Sequence, residues 1–371
     1  MSPYAHITGW GMAVPERVLT NHDLEKLVDT TDDWIRSRTG ICERRIANDE
    51  ETTASLATEA ALRALEVARL NPVDLDLIIV STSSPEHIFP ATACLVQDRL
   101  GAFKAGAFDL LAACTGFIYA LNTASQAIRS GSARNALVIG SETLSRMINW
   151  QDRNTCILFG DGAGAFVLQA SEEPAGVLSS VMRSDGSGGD LLSVPAGGSR
   201  LPTSFDTLRD GLHYIHMDGR EVFRFATRVM AQATQDAVES AHLTLDDIQV
   251  FIPHQANQRI IEAAVRSLKI TMDRWVINLD RYGNTSTASI PIATCEAVQQ
   301  GRLKPGDKVV FVGFGAGLTW GATVAEWSGP FPGIRKVWPA RYRFYARLRS
   351  IVLRLLRRID AMIWGRRHQD Y

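Results

Sequence analysis

The sequence predicts an α/β fold in which one unit of helices and buried strands occurs twice. Two observations carry that expectation. ARLNPVDLDLIIVS (Ala68 to Ser81) and AHLTLDDIQVFIPH (Ala241 to His254) align without a gap, and the same offset sets ALVIG ending at Gly140 against VVFVG ending at Gly313. In each copy a helix with apolar residues at helical spacing, TASLATEAALRALEVA or EVFRFATRVMAQATQDAVESA, leads into a nearly continuous apolar strand. That is the pattern of a sheet covered by helices on both faces. The expected organisation is an N-terminal half over 1–172, a C-terminal half over 173–330 and an extension over 331–371.

Composition sets the outer limits. A chain of 371 residues with 46% hydrophobic and 21% charged residues can bury a large core. MSPYAHITGW lacks the basic start and apolar run of a signal peptide, and no apolar run approaches the roughly 20 residues that span a bilayer, so the cytoplasm is the expected compartment. Cys42, Cys94, Cys114, Cys156 and Cys295 are odd in number and never in CxxC spacing. Reduced thiols are expected, with neither a disulfide framework nor a zinc site. The net charge of −1 hides an asymmetry: eleven Lys or Arg against two Asp leave 331–371 at +9 and the remainder at −10.

The first element with chemical potential is FDLLAACTGFIYALNTASQAIRSG, Phe108 to Gly131, where a strand-like run turns into a helix at Cys114. A cysteine alone in such a place is more often a small buried hydrophobe. At a helix N-terminus, unpaired N–H groups and the macrodipole favour thiolate over thiol. The offset between the copies equates Cys114 with Thr287 in GNTSTASIPIATCEAVQQG, so each half has a small-residue elbow and the two helices are expected to meet near the centre. Three further elements favour the reactive reading. VFIPHQANQRI ends a buried strand with His254 and Asn257 at its carboxyl edge, where open α/β sheets place ligands. RYGNTSTASIP puts Asn284 just before the second elbow, and VFVGFGAGLTWG follows a strand with Gly313, Gly315 and Gly317, which let backbone N–H groups approach a substrate. It lacks the GK[ST] ending and the spacing of a phosphate loop.

DLLAACTGF, IPHQANQRI, GNTSTASIP and GFGAGLTWG, in that order, closely resemble the signatures of β-ketoacyl-acyl carrier protein synthase III, which starts type II fatty acid synthesis on a thiolase fold. The resemblance covers about residues 3 to 328, including VDTTDDWIRSRTGICERRIA and LFGDGAGAFVLQ. It implies a thiolase-like fold, Cys114 as nucleophile with His254 and Asn284, and an oxyanion hole from the backbone N–H groups of Cys114 and Ala316. It further implies that Thr30, Trp34, Arg38 and Arg153 bind coenzyme A, and that Arg224, Gln255 and Arg259 receive the acyl carrier protein. Phe89, inserted by the partner of a homodimer, and Phe314 would bound the acyl pocket. Acyl-CoA and malonyl-acyl carrier protein are then substrates, with no resident cofactor, metal or nucleic acid. Two readings stay open beside it: a related condensing enzyme of a secondary pathway, and, for Trp34, a helix-capping staple after Thr31 or Asp32. A thiolase would need a second reactive cysteine near the C-terminal Gly loop, and VGFGAGLTWG has none.

The extension departs from the family. In RYRFYARLRSIVLRLLRRIDAMIW, the residues Tyr345, Leu348, Val352, Leu355, Ile359 and Met362 fall on one helical face, with Arg343, Arg347, Arg354 and Arg358 largely opposite. A basic amphipathic helix ending in Trp364 suggests an in-plane membrane anchor, or docking on the acidic body or an acidic carrier protein.

Overall fold

A computed structural model of the chain describes residues 3–331 and 337–365. Five strands, β1 (Tyr4–Ala13), β2 (Leu77–Ser81), β3 (Gly106–Leu110), β4 (Asn135–Glu142) and β5 (Gly162–Ser171), form one sheet in the order β1-β5-β4-β2-β3. Four more, β6 (Gly176–Ser184), β7 (Val250–Pro253), β8 (Lys308–Gly315) and β9 (Thr319–Glu326), form a second in the order β7-β8-β9-β6. β2 pairs in parallel with β3 and β4, and β5 pairs antiparallel with β4 and β1. In the second sheet β7 and β8 are parallel, while β9 is antiparallel to β8 and β6. Four of the five strands of the first sheet therefore have a counterpart in the second, and the offset of the sequence repeat carries the first residue of β2, Leu77, onto that of β7, Val250, and Asn135 of β4 onto Lys308 of β8. The edge strand β3 has only a remnant in the second half: one parallel bridge between Phe251 and Trp275, whose rings stack at 5.0 Å.

The helices that frame the site are α1 (Asp32–Thr39), α2 (Thr53–Ala68), α3 (Thr92–Leu100), α4 (Gly116–Arg129), α5 (Gly219–Ser240), α6 (Gln258–Leu268) and α7 (Ser289–Gln299), followed by α8 (Pro339–Gly365) in the extension. α4 and α7 lie between the two sheets, where Phe117, Ile118 and Leu121 share one apolar cluster with Phe166 of β5, Ile252 of β7 and Phe311 of β8. α7 is buried on every side from Ser289 to Ala297, as expected for an apolar helix at the centre of a layered protein. α2 and α3 cover the outer face of the first sheet, and α5 and α6 that of the second. The result is five layers, helix-sheet-helix-sheet-helix, and it carries the expected duplicated α/β architecture. α2 starts where the sequence lets it: Thr52 and Ser55 form a reciprocal capping box.

The two central helices begin at matching elbows. Ala113 and Ser286, equivalent under the same offset, both take a positive φ, 45° and 48°. A side chain at positive φ is strained, so surrounding contacts must hold both turns in place. Gly140 on β4 makes room for the second turn: a Cβ there would stand 2.2 Å from the Thr287 carbonyl oxygen. Gly140→Ala is therefore expected to destabilise the protein by about 1–3 kcal/mol or more through overpacking against backbone. Gly186→Ala, which meets nothing within 4 Å, should change stability by less than about 0.5 kcal/mol. Urea midpoints of the two variants test this, and equal midpoints would contradict it.

Candidate active site

Cys114 sits in a single 3-10 turn, Ala113–Thr115, between β3 and α4. It is 8% exposed and lines two cavities at once. One, of about 510 Å³, is mostly apolar and is walled by Leu144, Met147, Phe159, Leu192, Val194 and Ile215. The other is a narrow passage of about 90 Å³ bounded by His254, Asn284, Phe314, Phe223 and Ile260. Met217 and Gly219 belong both to this passage and to a polar outer groove of about 670 Å³ that includes Trp34, Asp190, Asp218 and Arg220. The outer groove, the narrow passage and the apolar chamber thus adjoin one another through shared lining residues, with Cys114 between the last two.

Each of the three central residues is aimed by its local fold. His254 follows the last residue of β7, and its backbone N–H donates to the Val312 carbonyl at 2.8 Å, which carries the strand pairing one residue further. Its Nδ1 lies 2.7 Å from the Ser289 hydroxyl, which in turn accepts the Gln255 N–H at 3.4 Å. A serine hydroxyl both accepts and donates, and when its hydrogen is given to Nδ1 the imidazole proton is on Nε2. Nε2 is buried and has no hydrogen-bond partner among the described residues. The Phe314 ring meets the imidazole edge-on at 5.4 Å. Asn284 is fixed in the same way: its Oδ1 accepts the Ser286 N–H at 2.8 Å, so its amide nitrogen is the end free to face the passage. Gly315 keeps the backbone beside the thiol open, because a Cβ there would lie 2.7 Å from the Cys114 nitrogen. Ala316 follows it on the wall of the apolar chamber.

Burial sets the protonation states. It pushes the His254 imidazole down to about 3, so the ring is neutral at physiological pH. It pushes the Cys114 thiol up to about 12, with hydrogen bonding from Ser286 pulling down and the Glu142 carboxyl reinforcing the rise. Desolvation thus works against the thiolate that the helix N-terminus favours. Glu142, the last residue of β4, is itself wholly buried. It accepts from Thr82 Oγ1, the Ser83 and Ser84 N–H groups, Ser84 Oγ and Thr287 Oγ1, and so ties β2 and β4 to the second elbow. Sequence reading missed Glu142, Ser286 and Ser289. The offset held a signal for the two serines, since they match Ala113 and Gly116 of the first elbow.

The remaining expected residues divide. Two guanidinium groups lie near the Trp34 ring, Arg153 at 5.1 Å and Arg38 at 5.8 Å from its centroid, at the outer groove. Its backbone N–H also donates to Thr31 Oγ1, so Thr31 is the cap of α1 and the indole remains half-buried beside the groove. Thr30 Oγ1 is buried without a hydrogen-bond partner among the described residues. Arg224 on α5 and Arg259 on α6 are exposed on neighbouring helices, Arg259 lying over the Phe223 ring at 5.6 Å. Gln255 is a correction. It is 1% exposed, donates to the Pro253 and Val276 carbonyls and accepts the Asn278 N–H, so it braces the loop after His254 and cannot touch a carrier protein. Phe314 is another: it walls the narrow passage against His254, not the apolar chamber. Phe89 is 84% exposed and lines neither cavity. Asn257 caps α6 through the Arg259 N–H and donates to the Arg38 carbonyl. Among the described residues no group of three or more His, Cys, Asp or Glu is arranged to hold a metal ion.

A duplicated five-layer fold with a cysteine elbow between two cavities is that of the thiolase-fold condensing enzymes. Comparison with known proteins narrows the class. Residues 108–186 match the family described as 3-oxoacyl-[acyl-carrier-protein] synthase III, and 238–327 match its C-terminal part. A β-ketoacyl-[acyl-carrier-protein] synthase III of Symbiobacterium thermophilum is 58% identical over 321 residues, covering 86% of this chain and 97% of that protein. A Roseiflexus protein of the same name is 54% identical over 328 residues, covering 88% of this chain and all of the relative. The crystal structure of the Aquifex aeolicus synthase is 48% identical with a TM-score of 0.81, covering 87% of this chain and 99% of that one. The chain belongs to the β-ketoacyl-acyl carrier protein synthase III family. The Roseiflexus alignment takes in the whole relative and still leaves 12% of this chain unmatched, since it covers 88%.

Because burial raises the thiol, the thiolate fraction of Cys114 in the free protein should grow about ten-fold per pH unit across the neutral range. Iodoacetamide alkylation of Cys114, read by peptide mass, should rise with unit slope from pH 7 to pH 9. A plateau with a midpoint below pH 8 would show that the helix end prevails over burial.

Proposed function

We propose that Cys114 takes an acyl group from acyl-CoA and that the bound acyl group is then extended by malonyl-acyl carrier protein, the first condensation of fatty acid synthesis. The observation that carries this reading is the orphaned Nε2 of neutral His254, buried in the same passage as Asn284 and the thiol, and the reading takes Nε2 as the protonated nitrogen, with the Ser289 hydroxyl donating to Nδ1. In the first half-reaction the Cys114 sulfur attacks the thioester carbonyl, the carbon–sulfur bond to coenzyme A breaks, and the thiol proton leaves with coenzyme A. The N–H groups of Cys114 and Ala316 are the donors for the oxyanion. In the second, malonyl-thioester loses CO₂, and the electron pair of the broken carbon–carbon bond passes into an enolate. His254 Nε2–H and the Asn284 amide donate to the enolate oxygen as its charge develops. The carbanion attacks the acyl-Cys114 carbonyl, a carbon–carbon bond forms, and the cysteine sulfur leaves and is reprotonated. Loss of CO₂ itself makes the carbanion, so no base, metal or resident cofactor is needed in this scheme.

The neutral imidazole fits that role, because an imidazolium would hand its proton to the enolate and quench the nucleophile. The half-buried Trp34 near Arg38 and Arg153 supports stacking of the adenine of coenzyme A, with Thr30 beside it. Arg224 and Arg259, exposed next to the passage, support docking of the acidic acyl carrier protein. The same reading includes a homodimer: Ile88, Phe89 and Leu111 are 86%, 84% and 78% exposed, close to the unpaired edge of β3.

The two half-reactions separate the roles. Cys114→Ala should form no acyl-enzyme. His254→Ala and Asn284→Ala should still be acylated by acyl-CoA, yet lose decarboxylation and condensation by roughly a hundred- to a thousand-fold each. Quench-flow with labelled acyl-CoA and a CO₂ release assay measure both steps. Variants that decarboxylate normally but resist acylation would reverse the assignment.

A further inference from the structure

The extension forms one long helix, α8, and its two sides meet different surroundings. The inner side docks on the acidic body. Ala346 is 6% exposed against Gly101, Ser350 Oγ donates to Asp98 at 2.9 Å, Arg354 lies 3.8 Å from Asp98, and Arg343 pairs with Glu59. The expected docking on the body is therefore realised by this side, but it uses none of the apolar stripe. Tyr345, Leu348, Val352, Leu355, Ile359 and Met362 remain between 42% and 69% exposed in the full chain. Ile351 and Leu356, 61% and 49% exposed, widen the stripe on either border. At about 100° per residue the apolar arc spans about 140° and, from Tyr345 to Met362, runs about 25 Å. The side chain of Trp364, expected to close the stripe, lies outside the described residues.

Charge indicates the occupant. From 341 to 362 the helix carries seven arginines and a single acid, Asp360. Arg347 and Arg358 fall on one border of the stripe and Arg349 on the other by helical geometry. A second copy of α8 packed on the stripe would bring these borders together and set arginine against arginine. No helix of the described residues is long and apolar enough to cross a membrane. One partner answers both the wide apolar arc and the cationic borders: the face of an anionic bilayer, which takes the stripe into the acyl boundary while the arginines reach the phosphates. We infer that α8 lies in the plane of an anionic membrane surface, stripe inward, and straps the condensing body to it through the opposite side.

The test is co-sedimentation of the full-length chain with vesicles of phosphatidylcholine alone or with one-third phosphatidylglycerol, over a salt series. The parent should bind the anionic vesicles, and binding should weaken but persist as salt rises, since apolar burial is not screened. Leu348→Gln with Leu355→Gln and Ile359→Gln should weaken it at least ten-fold. Arg347→Gln or Arg358→Gln should each weaken it roughly five-fold at low salt. All of these variants should condense soluble substrates at the parent rate, because none of the substituted residues lines either cavity at Cys114. Absence of binding to both vesicles, or equal binding by the triple variant, overturns the inference. So does a smaller oligomer for the triple variant in sedimentation velocity without vesicle binding by the parent, which would make a second copy the occupant.

Discussion

The site exists because two strand-to-helix elbows press against each other at the centre of the molecule. One carries Cys114 and the other Ser286 and Thr287, and the second is locked to the first sheet by Thr287 Oγ1, whose single hydrogen is shared between the Ser81 carbonyl at 2.9 Å and the Glu142 carboxyl at 3.1 Å. Contacts this close need missing side chains, and Gly140 and Gly315 supply them at the Thr287 carbonyl and the Cys114 nitrogen. Two positive-φ residues, Ala113 and Ser286, are held in place by the same packing. Duplication makes such an arrangement accessible, since an elbow that works once can meet its own copy. Divergence then separates the roles: the first elbow keeps the sulfur, and the second supplies Asn284 and the serine that orients His254.

Burial at that centre sets both the strength and the restraint of the chemistry. A desolvated site strengthens every donor aimed at a developing negative charge. It also keeps the free thiol protonated and the imidazole neutral, so the resting enzyme is a poor nucleophile. Reactivity is then expected only when a thioester fills the passage and its developing oxyanion meets donors already in place. The apolar chamber beyond Cys114 suits the acyl chain, while the polar outer groove with Trp34 suits a nucleotide head.

Much of this was legible in the chain. The constant offset between the halves foretold the matched strands and elbows, and the four small-residue motifs foretold which loops converge. What could not be read was mostly directional. Gln255 stands next to His254 in sequence, yet successive residues leaving a strand point to opposite sides, and its side chain turns into the core. Phe314 lies one residue before the glycine that clears the cysteine nitrogen, and only the sheet register shows that its ring meets His254. At Cys114 a sequence displays the helix start that favours a thiolate but not the depth of burial that opposes it. Glu142 was invisible for the same reason, as a carboxylate at a strand end usually faces water. In the extension, helical spacing displayed an apolar stripe and arginines, but not that Asp98 and Glu59 would engage the opposite side.

The central claim is that one buried cysteine carries the acyl group between the two halves of the reaction. Incubating the protein with acyl-CoA, mapping the added mass by peptide analysis and then adding malonyl-acyl carrier protein tests it directly. A single acylated peptide containing Cys114 is expected, discharged on the second addition with matching release of CO₂ and formation of 3-oxoacyl-acyl carrier protein. Product formed with Cys114 unmodified throughout, or an acyl group on another cysteine that discharges instead, would contradict it.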